Sequence, residues 1–413
     1  MSTDATPDPY REALAFGQRL QILRQRRGLT QDQLGGLVAR SGSWVRSLEA
    51  GRLKTPKLPL VLRLAEVLRV RDLSDLTGDQ SMTANLFTGP GHPRFAAVRQ
   101  ALNALQLGAT DAPSAAHLTA RLARAWQARH SAPNHRDVIG SLLPDLIRDA
   151  QAAVRAAATV ADRKAAQARL AEVYFLAQFF CAYQPDAPLV WRVAERGMMA
   201  AQDSEDPHAI GLAAWLTTQA HRESTHLDAA DAVTMETLRY LEPLLPEAST
   251  DVRAVAGALT VEAGLTAARR GETGTAWRYW DEARRLAEGL PANYFHPVTS
   301  FSRAVIGAHA VTVAVETHAG GESVRQAARA EADAIPSRPR RARHRIEQAR
   351  AYHLDRQPDV ALATLAQAHE AAPETVQYNG HARRIILEEA EAKNADRRRR
   401  ASELAASMGL LTV

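Results

Sequence analysis

The chain has 413 residues, of which 46% are hydrophobic and 23% charged, enough apolar material for two or more soluble domains. Its one cysteine, Cys181, excludes an intrachain disulfide and a cysteine-based zinc site, and its apolar neighbours predict a buried thiol. No signal-peptide pattern opens the sequence and no apolar run could span a bilayer, so we expect a cytoplasmic protein with no membrane partner.

Positive charge is concentrated near the N-terminus. Between Arg11 and Gly78 there are 13 basic and six acidic residues, a net charge of +7, although the whole chain carries only +5. Such an excess attracts polyanions, but solvated helix faces also carry arginine. The charge pattern alone therefore leaves both interpretations open.

Five short helices are predicted in this basic segment from the hydrophobic period and the end signals. Gly28 is typical of a helix C-terminus, Thr30–Gln33 of a capping box, and Ser41 of a new N-cap. The predicted helices cover residues 14–26, 30–38, 42–50, 58–68 and 70–76. A tight turn joins the second helix to the third, which is the layout of a helix-turn-helix DNA reader.

The composition changes between residues 78 and 93, where glycine, proline, serine and threonine interrupt the helical period. This change predicts three parts in the chain. They are a helix-turn-helix DNA-binding domain over residues 11–77, a linker over 78–93, and a helical domain over 94–413 that serves dimerisation and an effector.

The helical domain is predicted to consist of helix pairs that repeat with a period of roughly 40 residues. The clearest pair surrounds a turn at Gly271, with Gly264 before it and Ala276 after it, and another surrounds a turn at residues 356–359. Small residues at these positions let antiparallel helices approach closely, as an α-solenoid requires. The predicted fold class is all-α: a five-helix DNA-binding domain followed by an α-solenoid of tetratricopeptide-like helix pairs.

Two features of the helical domain have alternative interpretations. Its tryptophans either pack between repeats, which we favour, or contact a ligand; they are Trp191, Trp215, Trp277 and Trp280. The basic runs Arg338–Arg345 and Arg397–Arg400 either bind phosphate or are solvated. A proline-containing turn in the first run and a helix surface for the second favour solvation.

Residues 20–70 resemble the XRE, or lambda-repressor-like, helix-turn-helix family. The matching residues are Leu20, Arg24, Gly28-Leu29-Thr30-Gln31, Leu34, Val45, Leu48-Glu49, Gly51, Pro56, Leu64-Ala65 and Leu68. The match covers about an eighth of the chain. Because many spaced positions carry it, the resemblance is specific.

Three positions depart from the family pattern. Gly35-Gly36 stand where the family has alanine and a polar residue, Ala39 where glycine usually turns the chain, and Ala50 where asparagine often precedes Gly51. Each of the two glycines is expected to weaken its helix by up to ~1 kcal/mol.

The resemblance implies that the helix beginning at Gly42 enters the major groove by its N-terminal end, with its non-core positions exposed. Arg46 is expected to read a base, since arginine bonds guanine O6 and N7 bidentately, and Ser43 to bond a base or a phosphate. Trp44 either packs on thymine methyl groups or sugars or lies along the domain surface. The full set of expected DNA-binding residues is Gln31, Gly42, Ser43, Trp44, Arg46, Ser47, Arg52, Lys54 and Lys57.

Within this set, Gln31 resembles the family's phosphate-contacting glutamine, and Arg52, Lys54 and Lys57 are expected to grip the DNA backbone. Glu49 is expected to pair with a nearby arginine instead. One reader helix covers only a few base pairs, so we expect a homodimer on double-stranded DNA with a two-fold operator.

An XRE-like reader followed by a tetratricopeptide-like array resembles two groups of bacterial regulators. One senses peptide pheromones, and the other comprises developmental and antibiotic-pathway regulators of filamentous actinobacteria, which the composition fits better. The resemblance implies a sequence-specific DNA-binding transcriptional regulator with a peptide, small-molecule or protein effector on the repeat domain. The alternative is a protein-interaction scaffold tethered to DNA.

Catalysis and a cofactor are not expected. The sequence has no His-Glu-x-x-His motif, no Gly-rich phosphate loop after a strand and no nucleophile elbow. His309 and His318 are too far apart for metal ligands on one helix turn, so no metal site is predicted either.

Overall fold

A computed structural model describes residues 9–70, 73–77, 91–104 and 112–410. These residues form 21 α-helices and two short 3₁₀ segments, and the described ranges contain no strand. The all-α prediction is confirmed. No helix in these ranges is both long and apolar enough to cross a membrane.

The helices are numbered here in chain order. Helices α1 to α5 are Pro9–Arg26, Gln31–Leu37, Gly42–Glu49, Leu58–Leu68 and Ser74–Thr77. Helices α6 to α13 are Phe95–Asn103, Ala115–Ser131, His135–Ala156, Val160–Cys181, Ala187–Ser204, Pro207–Glu223, Leu227–Leu241 and Thr250–Arg270. Helices α14 to α21 are Thr273–Glu288, Arg303–Glu316, Gly320–Arg329, Arg338–Leu354, Pro358–Ala371, Pro373–Gln377, Gly380–Glu389 and Ala395–Ser407.

The chain divides into two compact units. The N-terminal unit comprises Met1–Gly89, Arg356–Asp359 and Gly380–Val413, and the repeat unit comprises Pro90–Asp355 and Val360–Asn379. The last two helices, α20 and α21, therefore belong with the N-terminal residues. The sequence pattern predicts one helical domain over residues 94–413 that includes them, so the structure divides the chain differently at this end.

Ion pairs join α20 to α4 inside the N-terminal unit. Nη1 of the buried Arg63 lies 2.6 Å from Oε1 of Glu388. Glu66 pairs with Nδ1 of His381 at 2.9 Å and with Nη2 of Arg384 at 2.7 Å. These pairs join residues more than 300 positions apart, which local sequence patterns do not reveal.

Helices α1 to α5 share one apolar core. Phe16 and Leu20 of α1 pack with residues of the other four helices, among them Leu34, Val45 and Leu64, all nearly inaccessible to water. The first helix begins earlier than predicted, at Pro9, and the fifth begins later, at Ser74, but the capping box predicted at Thr30–Gln33 occurs. The backbone amide of Gln33 donates to Oγ1 of Thr30 while the Thr30 amide donates to Oε1 of Gln33, which completes the capping box.

The two adjacent glycines of α2 have opposite surroundings. A Cβ on Gly35 would lie 2.8 Å from the backbone carbon of Ser41 and 2.9 Å from the amide nitrogen of Gly42. A Cβ on the exposed Gly36 would meet nothing within 4 Å. Gly35 thus permits the tight turn into α3, whereas Gly36 has no packing reason to be glycine.

Gly36→Ala is expected to stabilise the N-terminal unit by about 0.5–1 kcal/mol, because alanine has the higher helix propensity and no neighbour obstructs it. Gly35→Ala, one residue away with the same change in propensity, is expected to be destabilising because its Cβ would strike backbone atoms. Urea unfolding of both variants measures the difference. Equal effects of the two substitutions would contradict this account.

The linker prediction lies mostly outside the described residues, since only residues 91–93 of 78–93 are described. His92 is 6% exposed, and its backbone amide donates to Oε1 of Gln184 at 2.7 Å. This end of the expected linker is therefore packed into the repeat unit.

The repeat unit is built from antiparallel helix pairs in two layers. Helices α9, α11, α13, α15 and α17 pack on one another in turn, and α10, α12, α14 and α16 pack between them as a second layer. The pair α13/α14 has the predicted geometry: Gly271 adopts φ +84° at the turn, and a Cβ on Gly264 would lie 3.2 Å from the carbonyl oxygen of Ala276. Glycine at these two positions permits the turn and the close approach.

The first layer curves until its ends meet. Helix α7 packs against α9 and also against α17, about 200 residues later in the chain. The ring of His130 on α7 fixes this contact, since Nδ1 lies 2.8 Å from Oγ of Ser337 and Nε2 lies 2.7 Å from the carbonyl oxygen of Pro297. The layer therefore surrounds an interior rather than forming an open arc. We call its helices α7, α9, α11, α13, α15 and α17 the inner layer.

The tryptophans pack as predicted. Trp215 is 8% exposed in the core, and Trp277 lies edge-on to Trp280 with ring centroids 5.6 Å apart. Nε1 of Trp280 donates to the carbonyl oxygen of Ile306 at 3.1 Å, and Trp191 packs on His221 at 4.7 Å. Cys181 is buried as expected, and burial raises the pKa of its thiol to about 12.

Candidate nucleic-acid interface

Helices α2 and α3 and the turn between them form the expected helix-turn-helix. Ser41 is the N-cap of α3, and its Oγ accepts from the backbone amide of Trp44 at 3.1 Å. Ala39 adopts φ +53° in the turn, the left-handed conformation that glycine would adopt without strain. Val45 and Leu48 of α3 are fully buried in the core.

A chain of charged and amide groups connects the core to the surface of α3. Nε and Nη2 of Arg24 on α1 bind the two carboxylate oxygens of Glu49 at 2.5 and 3.0 Å. Nε2 of Gln31 donates to Oε2 of Glu49 at 2.8 Å, and Oε1 of Gln31 accepts from Nε of Arg46 at 3.1 Å. The predicted pairing of Glu49 with an arginine is confirmed. We refer to these four residues as the Arg24–Arg46 chain.

The Arg24–Arg46 chain gives Gln31 a structural contact in addition to the phosphate contact expected of it. Its amide lies between a buried carboxylate and the exposed guanidinium of Arg46. One hydrogen bond therefore restricts the rotamers of Arg46 before DNA binds, while the rest of its guanidinium faces solvent. Such restraint lowers the entropy cost of docking an arginine on a base edge.

The other predicted residues of α3 differ in exposure. Ser43 is exposed and its Oγ lies 2.8 Å from Oγ of Ser41, whereas Ser47 is half-buried. Trp44 is half-buried against the core, with the guanidinium carbon of Arg40 5.8 Å from its ring centroid. In the protein without DNA, Trp44 thus lies along the domain surface, one of the two expected arrangements.

Gly42 is expected to be exposed, but the structure shows that it is not. It is buried, and a Cβ there would overlap Oδ1 of Asp32 on α2. Glycine at the first residue of α3 leaves room for Asp32, whose Cα would lie 3.0 Å from a Cβ at this position. No side chain at residue 42 is available to contact DNA, so any contact there would come from its backbone.

The basic residues that follow α3 are exposed. Arg52, Lys54 and Lys57 all present their charge to solvent, and Nζ of Lys57 lies 3.5 Å from Oε2 of Glu391. Two other basic residues counted in the N-terminal excess, Arg24 and Arg63, are buried and paired with glutamates. The charge available to a polyanion is therefore smaller than the sequence count.

The two basic runs have different surroundings. In Arg397–Arg400, three of the four arginines pair with carboxylates, including Arg399 with Glu403 at 2.8 Å. Solvation of Arg338–Arg345 is wrong for most of that run. Arg338 is exposed, but Arg340 and Arg343 are half-buried and His344 is 1% exposed, because α17 belongs to the inner layer.

The comparison with protein families agrees with the geometry of the N-terminal segment. Residues 15–76 match the family model of a helix-turn-helix domain. No curated protein matches the sequence. A crystal structure of Bacillus thuringiensis PlcR in complex with the peptide PapR7 and DNA aligns with 86% of this chain and 99% of its own, at 12% identity and a TM-score of 0.26.

Proposed function

Because the chain joins a helix-turn-helix DNA-binding domain to a helical repeat domain, we propose that it is a sequence-specific transcriptional regulator whose α3 enters the major groove. The observation that carries this proposal is the Arg24–Arg46 chain. It presents Arg46 on the exposed side of α3, where an arginine reads guanine. Ser43 and Ser47 border it on α3, and Arg52, Lys54 and Lys57 follow the helix as phosphate contacts.

Arg46→Ala is expected to relax base preference at one position of each half-site, at a cost of about 1–3 kcal/mol for the preferred base. Lys54→Ala is the matched control in the same domain, and it is expected to weaken binding to all sequences alike because phosphate contacts carry no base information. Gel-shift titration of the full-length protein against a randomised operator library measures both effects.

The same library tests whether a DNA reader is present at all. Equal loss on every sequence for both variants would remove Arg46 from base readout. Absence of any selected sequence for the unaltered protein would overturn the proposal. Since one reader helix covers few base pairs, we also propose a homodimer, in which case the selected sites have two-fold symmetry.

We further propose that an effector bound to the repeat unit modulates DNA binding. Support comes from the closed inner layer, into which charged side chains of several helices converge. Such an interior suits a ligand smaller than a folded protein, whereas a docking scaffold would offer an open concave face. A protein-interaction scaffold is therefore the weaker candidate.

A further inference from the structure

Arginines of α17 form polar contacts with residues of other parts of the inner layer. Nη1 of Arg343 on α17 donates to the hydroxyl of Tyr183, which follows α9, at 2.7 Å. Nη2 of Arg340, also on α17, lies 3.2 Å from Nε2 of His309 on α15. Helix α17 thus forms polar contacts both with the neighbouring helix α15 and with a residue 160 positions earlier in the chain.

Most of the interior charges compensate one another. Four arginines and four glutamates of α11, α13, α15 and α17 form a continuous series of ion pairs, in which Nε of Arg222 lies 3.9 Å from Oε1 of Glu223. The pairs are Arg222–Glu262, Arg269–Glu223, Arg269–Glu316, Arg350–Glu316, Arg350–Glu347 and Arg343–Glu347. Each of these guanidinium groups therefore has a carboxylate beside it.

Arg129 and Arg340 are exceptions, since neither forms an ion pair with any residue of the described ranges. The guanidinium carbon of Arg129 lies 4.4 Å from the ring centroid of Phe179. Its Nε and Nη1 are shielded from water and have no hydrogen-bond partner, and the same holds for Nε of Arg340. These donors are available to a group that the protein itself does not supply.

The two unpaired arginines lie on helices that touch. Ser337, which accepts a hydrogen bond from the amide of Arg340 at 3.5 Å, also contacts His130, the residue after Arg129. Burial, followed by the nearby cations Arg136 and Arg340, lowers the pKa of Arg129 to about 9. Burial lowers the pKa of His130 to about 4, so its ring is neutral and carries no negative charge to balance the arginines.

An unpaired buried cation costs folding free energy, and two that repel each other cost more. Proteins retain such local conflicts at functional sites, where a ligand resolves them. Phe179 supplies apolar surface beside the arginines, and Trp126 and Trp215 support its ring at centroid distances of 5.9 and 6.1 Å.

We propose that Arg129 and Arg340 together bind the oxyanion group of an organic acid, a carboxylate or a phosphate, whose apolar part packs beside Phe179. This inference rests on the proposed effector function of the repeat unit and specifies the chemistry of the effector. Bound there, the oxyanion accepts the unpartnered guanidinium hydrogen bonds and bridges α7 to α17. The ligand thereby strengthens the contact that closes the inner layer.

The test is calorimetric titration of the full-length protein with benzoate, phenyl phosphate and inorganic phosphate. At least one probe is expected to bind, and a preference for benzoate or for phenyl phosphate identifies the carboxylate or the phosphate as the recognised group. Arg129→Gln and Arg340→Gln are each expected to weaken that binding by about 10-fold or more. Arg124→Gln, an exposed arginine on the same helix α7, is the control and is expected to leave it unchanged.

Two results would overturn the oxyanion site. One is the absence of binding by all three probes at millimolar concentration, and the other is the same affinity in Arg129→Gln as in Arg124→Gln. Since the titration contains no DNA, loss of the oxyanion site and loss of DNA binding are separate outcomes. Gel-shift titration, carried out in parallel, tests the proposed DNA-binding function separately.

Thermal unfolding without a probe gives a second, independent measurement. A binding arginine without a protein counter-charge is expected to be dispensable for folding, so Arg129→Gln keeps or raises the melting temperature. A purely structural arginine would lower it. A clear drop in melting temperature together with unchanged probe affinity would assign Arg129 to packing on Phe179 alone.

Discussion

Glu49→Leu is expected to destabilise the N-terminal unit by about 3–5 kcal/mol, because it leaves the charge of Arg24 buried without its partner. Arg24 is 8% exposed and Glu49 6% exposed, and two hydrogen bonds join them. The substitution also removes the acceptor for Gln31, which positions Arg46, so DNA affinity is expected to fall with stability. Urea unfolding followed by gel shift measures the two effects.

Glu403→Leu is the matched control for Glu49→Leu. Glu403 lies in the same unit, where it pairs with Arg399 at 2.8 Å with both side chains more than half exposed. Water screens an exposed pair and weakens it, so this variant is expected to be nearly neutral. Replacing both members of the buried pair, Arg24→Met with Glu49→Leu, is expected to recover much of the stability. Similar losses for Glu49→Leu and Glu403→Leu would contradict the buried-pair account.

Acidification from about pH 7 to about pH 5 is expected to destabilise the repeat unit by about 2 kcal/mol for each of His296 and His344. Burial, followed by the neighbouring His208, lowers the pKa of His296 to about 3. Burial, followed by Arg340, lowers the pKa of His344 to about 4. In the unfolded chain both rings bind a proton near the ordinary value of 6.5, so the unfolded state takes up protons first.

The sign follows from this order of protonation. Stability is fully present above about pH 6.5 and decreases as the pH falls toward the lowered pKa values of the folded state. Unfolding in urea at three pH values measures the slope. His344→Gln is expected to reduce the slope by about one proton. Constant stability between pH 7 and pH 5 would contradict the prediction.

Local sequence signals predicted the helix-turn-helix well because its elements are specified by neighbouring residues. The capping box at Thr30, the N-cap at Ser41 and the turn glycine Gly28 all act over three or four positions. The buried faces follow the helical period, which is also a local property. The pairing of Glu49 requires only a nearby arginine, and α1 supplies Arg24.

Other features depend on contacts between distant residues. Burial of Gly42 follows from how closely α2 approaches α3, and the role of Gln31 follows from the position of Glu49. The sequence of the run Arg338–Arg345 indicates a solvated surface because arginines dominate its local pattern. Only closure of the inner layer turns Arg340 and Arg343 toward an interior.

The discontinuity of the N-terminal unit has a consequence for the order of synthesis. A ribosome makes the five reader helices first, yet α4 receives its partner α20 only after more than 300 further residues have been translated. Until then, the ion pair between Arg63 and Glu388 cannot form. A nascent or C-terminally truncated chain thus holds an incomplete reader unit, so its full stability arrives only after α20 has been translated.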